Sequence, residues 1–180
     1  MFDFKKSFVV FVLFFAVTFL VGCFFHQQIL EFFSPSVDKT INAIGYAMAA
    51  APPHHPFLIS LIFAGVIFLK NILVVAVILI FSFRLFTGFI PAVIVIVNGV
   101  VLGAVFMDLV ASGLPWQEAA MYFVPHGIIE IPAVIGACVL AVSIKETKEK
   151  LRKGGKWIVP FLGVAALIEV YVTPLFLGIH

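Results

Sequence analysis

Charged residues are scarce in this sequence: Asp, Glu, Lys and Arg together make up 11% of the 180 residues, whereas 63% are hydrophobic. A typical soluble domain carries about 25% charged residues, so this chain has too few to cover a globule in water. The mean hydropathy of +1.23 agrees with that conclusion. We therefore predict an all-α fold, a polytopic membrane helical bundle that forms a single domain over residues 1–180.

Cysteine is also rare, and the net charge is small. Cys23 and Cys138 both lie within apolar runs, so they give no information about a disulfide framework and leave the redox compartment open. The formal net charge of +2 is too small to indicate a nucleic-acid partner. The partner that the composition does predict is the lipid bilayer.

Five apolar runs are long enough to cross the roughly 30 Å hydrocarbon core of a membrane. They are Phe8–Phe25, Phe57–Phe86, Phe89–Leu109, Met121–Ile144 and Trp157–Leu177. Lys70 and Asn71 interrupt the second run, so residues 57–69 are either part of a tilted span or an interfacial segment leading into it. Leu20-Val21-Gly22-Cys23 resembles a lipobox, so a cleaved signal peptide is an alternative for the first run.

The connections between these runs are more polar. Ser34-Pro35-Ser36 can cap a short amphipathic helix at Val37–Ala50, which we expect to lie on the membrane surface. Trp116 is a candidate interfacial anchor in the loop Asp108–Ala120.

The basic segment Lys145–Lys153 predicts a solvated helical extension before the fifth run. Glu146 and Glu149 stand four residues before Lys150 and Lys153, a spacing that favours ion pairs. We expect Gly154-Gly155 to stop this helix. Its charges favour contact between residues 145–156 and anionic lipid headgroups.

The basic residues also predict an orientation, because Lys and Arg concentrate in cytoplasmic loops. With the amino terminus in the cytoplasm and five crossings, nine of the eleven basic residues lie inside. These nine are Lys5, Lys6, Arg84, Lys145, Lys148, Lys150, Arg152, Lys153 and Lys156. The sequence therefore predicts a multi-pass cell-membrane protein with loop 145–156 in the cytoplasm and the carboxyl terminus outside.

Several polar residues stand deep inside the apolar runs, where a charged group costs at least about 2.5–3.5 kcal/mol. At a helical rise of about 1.5 Å per residue, four of them fall roughly 16–24 Å above the inner helix ends. These four are Asn71, Asn98, Glu130 and Glu169. We predict that they form one polar cluster, with Lys70 and His126 at its rim.

His126 follows Pro125, and Glu130 comes one helical turn later on the same face. Pro132 lies inside the same run and removes one backbone hydrogen bond beside the glutamate. On the third run, Gly99 and Gly103 form a small-residue face suited to close packing, which we expect to pack within the bundle.

The cluster supports more than one interpretation. Its groups can bond helices together, or they can form a proton or transport pathway. One histidine and two glutamates lack the histidine-rich ligand set typical of catalytic zinc, and no serine has a histidine at a recognisable local spacing. We therefore predict no enzyme, no cofactor and no bound metal.

Four blocks of the sequence resemble the stage II sporulation protein M family of polytopic membrane proteins. Two are Lys70-Asn71-Ile72-Leu73-Val74 and Asn98-Gly99-Val100-Val101-Leu102-Gly103. The others are Pro125-His126-Gly127-Ile128-Ile129-Glu130-Ile131-Pro132-Ala133, the most specific, and Ile168-Glu169-Val170-Tyr171-Val172-Thr173-Pro174. The resemblance covers residues 70–174.

The resemblance implies a noncatalytic membrane protein that acts as a scaffold or partner subunit for membrane or envelope proteins. A permease or channel-like component that uses the buried Glu, His and Asn residues is the alternative. An intramembrane enzyme is the third interpretation. The sequence leaves homo-oligomerisation open.

Overall fold

The computed structural model describes residues 3–33, 56–82 and 88–173, and these residues contain helices and no strand. The helices are α1 (Phe4–Phe24), α2 (Pro56–Phe81), α3 (Phe89–Ala111), α4 (Trp116–Met121), α5 (Val124–Ser143) and α6 (Thr147–Leu167). Residues 26–33 are also helical, and α6 continues as a π-helical segment at Ile168–Val172.

Five of these helices are long and apolar enough to cross a membrane: α1, α2, α3, α5, and α6 with its π-helical continuation. A helix of 20 residues spans about 30 Å, so each matches the hydrocarbon core. The predicted multi-pass helical bundle is therefore confirmed for the described part of the chain. The predicted surface helix Val37–Ala50 lies outside the described residues.

Helix α2 contains residues 57–69, the segment whose role the sequence left open. The helix runs without a break from Pro56 to Phe81, so residues 57–69 continue directly into the span. Lys70 and Asn71 do not interrupt it, because both residue types keep their backbone hydrogen bonds in a helix. The only proline in α2 is at its first position, where a missing N–H costs nothing.

Helix α6 corrects the prediction that Gly154-Gly155 stops the basic extension. The helix continues through both glycines from Thr147 to Leu167. A Cβ at Gly154 would stand 2.5 Å from Leu79 Cδ1 on α2. Gly154 therefore provides close packing between two helices, and the basic extension and the fifth span are one helix.

Glycines also bring α1 and α3 together. A Cβ added to Gly22 would collide with the backbone of α3, and one added to Gly103 would collide with the Phe19 carbonyl of α1. Gly99 faces the Thr18 hydroxyl, which donates to carbonyls of its own helix. The small-residue face predicted on the third run thus packs within the chain, and its partner surface on α1 contains a further glycine.

Helix α5 lies at the centre of the bundle and contacts α1, α2, α3 and α6. Its middle turns, from Ala133 to Ala141, are almost entirely buried. They pack with Ile78 of α2 and Leu162 of α6 in one hydrophobic core. The residues at both ends of α5 are therefore held in place by a rigid central helix.

One end of the bundle collects the start of α1, the end of α2, the end of α5 and the start of α6. Lys150 of α6 donates from Nζ to the Ser82 carbonyl oxygen at the end of α2, at 2.9 Å. The segments predicted to be cytoplasmic thus lie at the same end. Which side of the membrane this end faces stays a prediction.

The two predicted ion pairs of the basic extension have different outcomes. Lys153 Nζ lies 2.9 Å from Glu149 Oε1, as the spacing predicts. The pair of Glu146 with Lys150 is wrong, because Lys150 points inward to Ser82 and only 1% of it is exposed. The face predicted to be fully solvated therefore contains one buried cation.

Candidate functional site

The first turns of α5 position His126 and Glu130. The helix begins at Val124, with Pro125 in its first turn, where the fixed φ of proline suits a helix start. His126 and Glu130 are one turn apart and share a face of the helix. Both side chains are half-buried.

Glu169 lies in the π-helical segment Ile168–Val172, which replaces the last turns of α6. In this segment the backbone N–H of Thr173 donates to the Ile168 carbonyl oxygen, five residues back. The Thr173 hydroxyl donates to the same oxygen at 3.3 Å. Short π-helical segments are rare and often occur at functional sites, because the extra residue per turn redirects side chains.

The structure brings His126, Glu130 and Glu169 together. One imidazole nitrogen and one oxygen from each carboxylate all lie within 4.8 Å of one another. Lys70 on α2 is exposed and lies within electrostatic range of Glu169. From here on, the polar cluster means His126, Glu130 and Glu169, a smaller set than the one predicted from the sequence. It joins the start of α5 to the π-helical segment that follows α6.

The two predicted asparagines are on α2 and α3, where Asn71 is buried and Asn98 is half-buried. Asn98 Nδ2 donates to the Ile94 carbonyl oxygen of its own helix at 2.8 Å. Asn98 and Glu130 both line a cavity of about 20 Å³, which has room for about one water molecule. Asn71 is 2% exposed on α2, and its Nδ2 has no hydrogen-bond partner among the described residues.

The structure therefore brings the two predicted glutamates together with His126, and Asn98 lines a cavity with Glu130. His126 belongs to the close cluster, whereas the sequence placed it at the rim. The sequence did not predict the π-helical segment that carries Glu169, and it overlooked Tyr171 in the same segment. The hydroxyl of Tyr171 is buried without a hydrogen-bond partner in the described structure, and its position two residues after Glu169 was the available signal.

The proline and glycine residues of the sequence motifs near the cluster differ in their burial. Pro132 lies inside α5 and is exposed. Gly127 is buried, and a Cβ there would meet only Ile131 Cδ1 at 3.5 Å, an ordinary contact. Space alone therefore does not require glycine at this position. Pro174 lies outside the described residues.

The imidazole nitrogen and the carboxylate oxygens of the polar cluster can exchange protons or together bind a cation. Protein ligands bind zinc at about 2.0–2.2 Å, so two ligands of one ion are at most roughly 4.4 Å apart. Separations of up to 4.8 Å would need a small closing movement. His126 Nδ1 is buried and has no partner among the described residues, and such atoms are ordinarily satisfied by an ordered water or a bound group.

The cluster is separate from the large groove of the molecule. A groove of about 1700 Å³ lies beside α5, where Ile129, Pro132 and Gly136 line it. None of the three cluster residues lines that groove, although Ala133, about one turn after Glu130 on α5, does. The polar cluster and the groove therefore adjoin on α5 without sharing a residue.

Comparison with known protein families gives a match over most of the chain. A family model described as Stage II sporulation protein M matches residues 9–174 of this chain. The match begins well before Lys70, so it includes α1 as well as the four blocks of resemblance. No curated protein and no solved structure matches the chain significantly.

Proposed function

The chain belongs to the stage II sporulation protein M family, and on that premise we propose that it is a noncatalytic membrane scaffold or partner subunit for other membrane or envelope proteins. The observation that carries this proposal is the position of the polar cluster. Its three groups face one another between helices, and none of them lines the large groove. A catalytic site needs such an opening for its substrate.

The charges of the cluster also support a structural role. Glu169 interacts electrostatically with His126 and Lys70 as well as with Glu130, so the interactions of the cluster link three helices. Polar groups that bond across helices stabilise membrane bundles by roughly 0.6–2 kcal/mol each. Because the cluster connects α5 with the carboxyl-terminal helix, it fixes the shape that a partner protein would recognise.

The first test compares amide and alanine replacements of the two glutamates. Glu130→Gln and Glu169→Gln keep the shape and most of the hydrogen-bonding capacity, so both should retain thermal stability and the recovery of partners from native membranes. Glu130→Ala and Glu169→Ala should lower the melting temperature, because they leave the remaining groups without partners. Glu118→Gln, at an exposed position in α4, is the control for removal of one negative charge.

A cation or proton pathway is the second candidate, and the unpartnered His126 Nδ1 and Tyr171 hydroxyl favour it. This function predicts a different order of effects for the same variants. Glu130→Gln and Glu169→Gln would abolish pH-dependent cation uptake into reconstituted vesicles while the melting temperature stayed unchanged. That result, measured beside an active wild-type control, would replace the scaffold with a permease.

A further inference from the structure

The large groove has an apolar part and a cationic part. It lies between α5 and α6 and also includes the first residues of α1, with a volume of about 1700 Å³. Pockets that bury a drug-sized ligand measure roughly 300–1,000 Å³, so this groove could hold a larger molecule. It is not enclosed, so a molecule in the bilayer could enter it.

The apolar part follows one face of α5. Ile128, Pro132, Gly136 and Leu140 line it at four-residue intervals, and Phe161 of α6 forms part of the facing wall. The distance from Ile128 to Ser143 is fifteen residues, or about 22 Å along a helix. This length covers most of the hydrocarbon core of one membrane, so the wall matches an extended acyl chain.

The other end of the groove is polar and mainly cationic. Lys145, Lys150 and Lys153 line it together with Asp3 and Glu149. Glu149 is paired with Lys153 at 2.9 Å. Asp3 accepts a hydrogen bond from the backbone N–H of Lys5 at 3.0 Å. Three cations and two carboxylates leave an excess of one positive charge at this end.

Lys150 and Ser143 have unused hydrogen-bonding capacity at this end. An ammonium group has three N–H donors, and the single described hydrogen bond of Lys150 goes to the Ser82 carbonyl oxygen. No described carboxylate forms an ion pair with Lys150, although only 1% of the residue is exposed. Ser143 Oγ is buried with no hydrogen-bond partner in the described structure. A buried cation without a carboxylate partner and a buried hydroxyl without a hydrogen-bond partner are costly, and phosphate oxygens are acceptors that suit both groups.

We propose that this groove binds one anionic phospholipid, with its phosphate at Lys150 and Ser143 and an acyl chain along α5. Charge-assisted hydrogen bonds to phosphate are strong and short, and the adjoining wall offers hydrocarbon contacts. A molecule with a negative head and an apolar tail fits both parts of the groove. This proposal is independent of the proposed scaffold function, because the groove shares no residue with the polar cluster.

The test is native mass spectrometry of the full chain in mild detergent, with equal amounts of phosphatidylglycerol and phosphatidylcholine that carry matched acyl chains. The wild-type chain should retain one phosphatidylglycerol and much less phosphatidylcholine. Lys150→Met should lower phosphatidylglycerol retention by about tenfold, since a charge-assisted hydrogen bond is lost. Lys148→Met, which removes an exposed charge from the same helix, should leave retention unchanged.

A second variant tests the acyl-chain wall without altering any charge. A Cβ at Gly136 would meet nothing within 4 Å, so Gly136→Phe should fill the groove and lower lipid retention at an unchanged melting temperature. It therefore tests the proposal even where Lys150→Met unfolds the protein.

Five results would overturn the proposal, four of them from lipid binding and one from the oligomeric state. The first four are equal retention of the two lipids, equal loss in Lys150→Met and Lys148→Met, full retention in Gly136→Phe, and tight binding of free glycerol phosphate. A dimer that Gly136→Phe dissociates would also overturn it, because the occupant would then be a second copy of the chain.

Discussion

The contact between α1 and α3 predicts a specific loss of stability in Gly103→Ala. The added methyl group would stand 2.9 Å from the carbonyl carbon of Phe19 and 3.1 Å from the backbone nitrogen of Cys23. Nonbonded carbon atoms normally lie about 3.5–4.0 Å apart, so the carbon contact alone requires the two helices to separate by at least roughly 0.6–1.1 Å, and the Phe19 carbonyl oxygen is closer still. Backbone atoms cannot move aside as a flexible side chain can.

A gap of about 0.5–1 Å removes roughly a quarter to a half of the dispersion energy between facing atoms. Overpacking of this kind typically costs about 1–3 kcal/mol. Alanine also has a higher helix propensity than glycine, by about 1 kcal/mol. The control must therefore be another Gly→Ala substitution within a helix, which gains the same helix propensity. Gly65→Ala in α2 is such a control, because a Cβ at Gly65 meets nothing within 4 Å.

The assay is the free energy of unfolding, obtained by titrating the purified protein with dodecyl sulfate in mixed micelles. Gly103→Ala should be less stable than Gly65→Ala by about 1–3 kcal/mol. Adding Gly22→Ala to Gly103→Ala should cost less than the sum of the two changes, because the helices have already separated. If Gly103→Ala and Gly65→Ala agree within about 0.5 kcal/mol, the close packing of α1 on α3 is refuted.

Two further predictions concern orientation and burial. In a chain without Cys23 and Cys138, Lys148→Cys should resist an impermeant thiol reagent in intact cells, whereas Asp38→Cys should react. The reason is that the distribution of positive charges predicts residue 148 on the cytoplasmic side. The opposite labelling would reject the five-helix orientation. In the wild-type chain in detergent, Cys138, which is 0% exposed, should react with a maleimide only after unfolding, whereas Cys23 should react earlier. Mass spectrometry measures both thiols, and equally fast labelling of the two would contradict the packing around α5.

The five membrane helices could be predicted from the sequence because each apolar run alone has the length of the hydrocarbon core. The depth of the polar residues followed from the same property, since the rise per residue of a helix is nearly constant. That reasoning placed Glu130 and Glu169 in one layer, and the two carboxylates do meet in the structure. The four-residue spacing of Gly99 and Gly103 identified a packing face on the third run.

The rotation of each helix about its axis could not be derived in this way. His126 was assigned to the rim because depth does not say which neighbour a side chain faces. Lys150 shows the same limit: its spacing from Glu146 predicts a surface pair, yet packing of α6 against α2 turns it inward to Ser82.

Gly154 shows what only tertiary structure decides. A glycine ends a helix when its backbone adopts a positive φ, and among the described residues only Gly113 does so, at 101°. The sequence Gly154-Gly155 allows either an end or a close contact, because glycine permits both. Contact with Leu79 of α2 favours the close packing. The sequence by itself thus determined which segments are membrane helices and how deep their residues lie. Packing between helices decided which side chains meet, because contact depends on the crossing and rotation of neighbouring helices.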